Sequence, residues 1–151
     1  MGGKMGFDKK DQAILSVLAE NSRLSLRKIA KKCGLGAATV MHRLRELEKN
    51  KIVKKYSVEL DYDALGFELQ AIVEVNVIKG KLFEVEKKIA THPNVSAVYD
   101  VTGESDVIII ARFKATKALD KFLKAIQSYD FVTKTKTVIV LNVIKEGHLK
   151  F

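Results

Sequence analysis

The chain has 151 residues, 47% of them hydrophobic and 30% charged, with a mean hydropathy near zero, a length that admits one domain or two small ones. One cysteine, Cys33, excludes an intrachain disulfide and no apolar run is long enough for a membrane span, so a reducing, cytoplasmic setting without a membrane partner is expected. The formal charge of +9 is segregated: residues 1–56 hold fourteen Lys or Arg against five Asp or Glu, whereas residues 57–151 hold thirteen of each.

Three helices are expected first. In "FDKKDQAILSVLAENSR", Asp8 can cap a helix start, Asp11 falls in the first turn where it favours the helix dipole, and Ile14, Leu15 and Leu18 recur at helical spacing. In "LSLRKIAKKCG", Ser25 is the cap, Leu26, Ile29, Ala30 and Cys33 form an inward stripe, and Gly34 is a left-handed terminator. A third helix starts near Gly36 and runs to about Asn50. At ~100° per residue, Val40, Leu44 and Leu47 share a buried face, while Ala38, His42, Arg45, Glu46 and Lys49 lie opposite, with Thr39 and Arg43 on the flanks.

Two helices joined by a short glycine turn, the second exposing cations and hydrogen-bonding groups, make a helix-turn-helix whose outer face suits a DNA major groove. The candidate contacts to double-stranded DNA are Ser25, Arg27 and Lys28 on the second helix, then Gly36, Ala37, Ala38, Thr39, His42, Arg43, Arg45, Glu46 and Lys49 on the third, with Lys54 beyond it. Small residues at 37 and 38 permit close approach to phosphate. Arg43 and Arg45 can read guanine edges or pair with phosphates. A basic amphipathic helix can also be no more than a solvated face; the segregated charge favours nucleic acid over that and over a membrane surface.

Downstream, "LQAIVEVNV" alternates as a strand with Leu69, Ala71, Val73, Val75 and Val77 on one face. "KLFEVEKKIATH" reads as a short helix. "VSAVYDVT" and "DVIIIARF" are strands joined by a turn at Gly103-Glu104-Ser105. "TKALDKFLKAIQS" is a helix with Thr116 as its cap, and "VTKTKTVIVLNVI" is a final strand. The order βαββαβ is the ferredoxin-like plan, an antiparallel sheet with both helices on one face. Val107 to Ala111 is apolar without alternation, so that strand should be buried on both sides. Helices cover one side only; a second copy is expected on the other, giving at least a homodimer.

The stretch "LSLRKIAKKCGLGAATVMHRLRELEKNKIVKKYSVELDYDALGF" resembles the DNA-binding segment of the Lrp/AsnC (feast/famine) transcription regulators. That family shows L-S-x-S-T-V-x-x-R, then L-E-x-x-G, a short β-hairpin and L-D-x-x-x-L-G. Leu35, Thr39, Val40, Arg43, Leu47, Glu48, Asp61, Leu65 and Gly66 match. Gly36 and Ala38 replace frequent serines, and Lys51 stands at the usual glycine, leaving Asn50 to take the left-handed conformation. The resemblance extends from about Asp8 to Ile144 and implies an α+β chain. Its parts are a winged helix-turn-helix DNA-binding domain (1–56), a hinge or linker strand (57–67), and a ferredoxin-like, ACT-like ligand-binding and oligomerisation domain (68–151).

The resemblance further implies a small-molecule pocket at the turn that is commonly G-D-Y-D in the family and here reads Gly103, Glu104, Ser105, Asp106. An amino-acid effector presents an ammonium and a carboxylate. Glu104 or Asp106 can accept from the first; turn N–H groups, or hydroxyls of Thr133, Thr135 and Thr137 at alternate positions on the last strand, can donate to the second. A plain hairpin beside a threonine-rich strand is the simpler alternative.

The expected function is a sequence-specific transcription regulator whose assembly, by family resemblance a tetramer or octamer, or whose DNA affinity responds to an amino acid. No metal or other cofactor is expected. An architectural DNA-wrapping protein is the related alternative. An enzyme resembling the tetrapyrrole decarboxylases of similar outline is disfavoured, because His42, His92 and His148 lie in separate elements and no nucleophile elbow or phosphate-binding glycine loop occurs.

Overall fold

The computed structural model describes residues 7–149; the ends of the two expected domains, residues 1–6 and 150–151, lie outside them. The chain forms two compact units, one from the residues up to Glu59 with the segment from Lys145 onward, the other Leu60–Ile144.

The first unit holds α1 (Lys9–Glu20), α2 (Leu26–Cys33) and α3 (Ala37–Lys49). Asp8 caps α1 through the N–H groups of Lys10 and Asp11, and the Asp11 carboxylate accepts the Asp8 N–H in return, a reciprocal capping box. Ser25 caps α2 by accepting from the Lys28 N–H. Gly34 ends α2 at φ 66° and lets Leu35 donate back to the Ala30 carbonyl at 2.9 Å, which bends the chain tightly into α3. Ile14, Leu18, Ile29, Ala30, Val40 and Leu47 form the core, with Leu44 and Cys33 packed at its edge. Each large apolar side chain buried there contributes about 1.5–3 kcal/mol.

Three expectations for this unit are corrected. Leu26 is exposed, because the first residue of α2 lies beyond the edge of the core. Asn50 keeps φ −81°, and Lys51 itself takes the left-handed conformation at φ 57°. No wing hairpin forms among the described residues: from Lys51 to Glu68 there is no strand. The reason is local, since Ile52 and Val53 both donate to the Leu47 carbonyl and so close the end of α3 instead of starting a ladder.

The second unit carries β1 (Leu69–Val77), α4 (Leu82–Ala90), β2 (Val95–Asp100), β3 (Val107–Phe113), α5 (Thr116–Gln127) and β4 (Val132–Val140). All pairings are antiparallel, in the order β2-β3-β1-β4, the ferredoxin-like arrangement. Ala71, Val73 and Val75 of β1 and Val107, Ile109, Ala111 and Phe113 of β3 are fully buried on one face with Val85, Ile89, Leu119, Phe122 and Ile126 of the helices. The expected linker strand at 57–67 is instead unpaired chain followed by a turn. Asp61 Oδ1 accepts from the Ala64 N–H, Gly66 takes φ 80°, and Phe67 donates to the Tyr62 carbonyl at 2.8 Å. That turn is held to the sheet by the Arg112 guanidinium over the Tyr62 ring (4.5 Å) and the Lys114 ammonium over Phe67 (5.3 Å).

On β3, Ile108 and Ile110 alternate with the buried residues and are half-covered on the face without helices, the side on which a second copy is expected. Two expectations are corrected here as well. Thr116 is the first residue inside α5, and the cap position is Ala115, which has no side-chain bond to offer. The last strand stops at Val140, where its pairing with β1 runs out opposite Gln70, one residue from the start of β1; Leu141 and Ile144 beyond are 88% and 93% exposed.

Candidate DNA interface and effector site

The α2–α3 turn presents α3 by its N-terminus. Gly36 is the cap residue and gives no side-chain bond, so the positive end of the helix dipole is left without an internal anion. The exposed candidates are Ser25, Arg27 and Lys28 on α2 and Ala37, Ala38, Thr39, His42, Arg45 and Lys49 on α3, with Lys54 beyond. The Ser25 hydroxyl is occupied in capping α2. Glu46 is half-buried, and its carboxylate lies 3.9 Å from the Lys49 ammonium. Lys49 is therefore partly neutralised, while Arg45 extends to solvent.

Arg43 departs from the expectation that it reaches DNA. Its Nη1 lies 2.9 Å from the Asp8 carboxylate and 2.9 Å from Asp11 Oδ1. Asp11 is 1% exposed and the Arg43 side chain 19%. The Asp11 hydrogen bond, more than Asp8, strengthens the guanidinium's hold on its proton. The Asp8 carboxyl is held below its ordinary value, first by the Asp11 N–H, then by the Lys10 N–H and Arg43, against an opposing effect of burial. Asp8 and Asp11, read in the sequence only as a cap and a dipole partner, thus carry a charge from another helix. The D-x-x-D spacing was the visible signal; the arginine 32 residues away from Asp11 was not.

In the second unit an open concavity of about 630 Å³ lies where the β2–β3 loop meets the sheet, lined by Glu74, Asp100, Val101, Thr102, Glu104, Ser105 and Ile108. The turn residues Glu104 and Ser105 do line it. Gly103 takes φ 126°, which lets the loop reverse. Asp106 is not available to a ligand as expected: its Oδ2 accepts the Val77 N–H at 2.8 Å and its own N–H donates to Val75, which extends the β1–β3 pairing by one residue. The threonines also fall elsewhere. Thr135 and Thr137 pair with Val75 and Val73 and so share the helix-covered face, where Thr135 Oγ1 accepts from Gln127 Nε2 of α5. Thr133 donates to the Asn76 carbonyl beside the β1 irregularity.

Glu74 is the site residue that sequence reading missed. It faces the uncovered side beside Ile108 and Lys136, accepting from Ser105 Oγ at 3.0 Å and from Lys136 Nζ at 3.1 Å. Lys136 first and Ser105 second hold its carboxyl below the usual range. Its signal was the one acid among the outward residues Gln70, Ile72, Glu74 and Asn76 of that strand. Nearby, burial pushes the Glu86 carboxyl up, with the Asp100 charge adding to the effect.

A sequence profile described as the Lrp/AsnC ligand binding domain matches residues 70–149, and one described as winged helix-turn-helix DNA-binding matches residues 7–54. An uncharacterised HTH-type transcriptional regulator of Pyrococcus furiosus is 42% identical over 94% of this chain and 96% of its own. The chain belongs to the Lrp/AsnC family.

Another family member, the HTH-type transcriptional regulator FL11 of Pyrococcus horikoshii, is 34% identical over 95% of both chains. Among solved structures, a transcriptional regulator of Neisseria meningitidis in complex with L-Met superposes with a TM-score of 0.86 at 29% identity, covering 93% of each chain. The protein is a helix-turn-helix transcriptional regulator with an Lrp/AsnC ligand-binding domain. Among the described residues no helix is long and apolar enough to cross a membrane.

Proposed function

We propose that this regulator acts in the cytoplasm as a homo-oligomer without a catalytic step. Residues 1–56 bind double-stranded DNA, 57–67 serve as the hinge, and 68–151 bind an amino acid and join the copies. The support for the DNA assignment is the uncapped N-terminus of α3 on a unit whose cations Arg27, Lys28, Lys49 and Lys54 are exposed. A phosphate seated at that N-terminus meets free N–H groups, and the exposed cations serve other phosphates along the duplex. Gly36, Ala37 and Ala38 let the backbone approach, and Thr39, His42 and Arg45 supply base-edge contacts from one exposed helix face.

For the effector, the support is the concavity around Glu74. Its volume suits a small ligand. Glu74, kept ionised by Lys136 and Ser105, accepts an ammonium. Lys136, or N–H groups of the 103–105 turn, donate to a carboxylate. The L-Met complex of the Neisseria relative supports an amino acid as the class. The uncovered sheet face with Ile72, Ile108, Ile110 and Val138 supports pairing with a second copy, and assembly to tetramers or octamers builds on that pair. An effector bound beside this face then changes assembly or DNA affinity, a coupling of about 1–3 kcal/mol.

The test is a thermal-shift screen of the twenty amino acids on the full chain, with light scattering on every hit. A ligand at a hundred times its Kd should stabilise by about 2.7 kcal/mol, and Glu74→Gln should abolish the shift while the unliganded melt stays near wild type. If no amino acid moves the melting temperature, the effector assignment is lost.

A further inference from the structure

On α3, the helix assigned to the groove, Arg43 turns its guanidinium inward. The carboxylates that receive it cannot follow it outward. Asp8 is fixed by the N–H groups of Lys10 (2.8 Å) and Asp11 (3.0 Å), and Asp11 by the N–H of Asp8 (3.2 Å). Both acids are thus part of the rigid first turn of α1. By contrast, α3 itself is held by apolar contacts at Val40 and Leu47, both essentially fully buried, and at Leu44 on the edge of the core, and has no side-chain cap. Apolar burial is non-directional, so these contacts seat α3 on the core but set its rotation less sharply than directional bonds do. The charge-assisted bonds at Arg43, between them in sequence, are directional and short.

From this geometry we infer that Arg43, Asp8 and Asp11 form a clamp that fixes the rotation of α3, making Arg43 a positioning residue and not a DNA contact. The inference rests on the DNA-binding assignment above. Its consequence is metric. Side-chain tips ride on a cylinder of about 5–6 Å radius, so a turn of about 20° displaces them by about 2 Å, more than a hydrogen bond to a base edge tolerates. With the clamp released, His42 and Arg45 lose their register on the bases while the phosphate cations remain.

Two roles for Arg43 give opposite signs for Asp11→Asn. If Arg43 contacts DNA, the aspartates compete with phosphate, and removing one charge tightens binding. If Arg43 is a clamp, removing either end loosens binding. The experiment measures Kd of the full chain for a duplex selected from a random library, and for the unselected duplex, between 50 and 200 mM salt, at a temperature where circular dichroism shows each variant folded. The variants are Asp11→Asn, Asp8→Asn, Arg43→Gln and the Arg43→Gln/Asp11→Asn pair. The clamp predicts that each single substitution at 11 or 43 weakens the selected duplex by about tenfold or more, the scale of one good base contact. Binding to the unselected duplex and the salt slope should stay unchanged, with the pair no worse than either single. Asp8→Asn, at the more exposed end, should act in the same direction and less strongly.

Tighter binding by Asp11→Asn, with a salt slope reduced by about one for Arg43→Gln, would overturn the clamp in favour of direct contact. Lower melting temperatures with unchanged Kd would overturn it in favour of stability alone. Wild-type protein that binds neither duplex would instead remove the DNA assignment beneath it, a failure distinct from both.

Discussion

Gly34 turns at φ 66°, and a Cβ added there would meet nothing within 4 Å. Its replacement by alanine therefore carries a conformational penalty and no clash. Gly34→Ala is expected to lower stability by about 1 kcal/mol. Lys51 holds a similar conformation with a side chain attached. Lys51→Gly should relieve that strain and raise stability by about 0.5 kcal/mol, less than the full amount because glycine also loosens the unfolded chain; urea titration of both variants checks the pair of signs. Asp8 adds a pH dependence. Its carboxyl is held lowered in the folded state, so on acidification the unfolded chain takes up the proton first. The stability it provides is complete at neutral pH, begins to fall near pH 4, where the unfolded carboxyl titrates, and is lost as pH drops through the lower folded value. Thermal melts from pH 6 to 3 should show a shallower acid decline in Asp8→Asn than in wild type.

At the scale of elements, α3 separates into two sides. Arg45 extends to solvent and has no carboxylate beside it comparable to those on Arg43. Arg45→Ala should weaken binding to a selected duplex by about tenfold or more, the scale of one good base contact, with far less change on an unselected one; titrations of both duplexes give the ratio. All three helices of the head, the βαββαβ order and the burial of Val40 and Leu47 were legible in the sequence, because period and caps are local signals. What the sequence hid was set by partners distant along the chain. Asp106 and the three threonines looked available because nothing nearby occupied them; β1 and α5 do. Arg43 looked like a reader because its acceptors sit on α1, across two turns of chain. The wing that the resemblance implied failed for a local reason, the bonds of Ile52 and Val53 to Leu47, and neither residue is among the motif positions that carried the resemblance. Glu74 was legible in principle, as the one acid in its strand, yet its meaning came only from Lys136 and Ser105 beside it.

For the molecule as a whole, the uncovered face of the sheet is the surface proposed to pair with a second copy. Ile108 and Ile110 alternate with fully buried neighbours, and Val138 on β4 is 42% exposed. A charge on that face should block pairing while leaving the helix-covered core of Val73, Ile109 and Phe113 untouched. Ile110→Glu is expected to yield a folded chain of lower mass, read by sedimentation at micromolar concentration alongside circular dichroism. A mass equal to wild type would place the contact between copies elsewhere.

The inward arginine also bears on how such a head could be retargeted to a new operator. Changing Ala38, Thr39, His42 and Arg45, the residues proposed to face the bases, would alter the letters the helix can read while its seat is kept. A library that also varies Arg43 leaves the buried Asp11 charge unanswered in nearly every member, and the specificity of most of its sequences would report a helix turned in its seat and not the new letters. Swaps at 8, 11 and 43 should be tolerated only together.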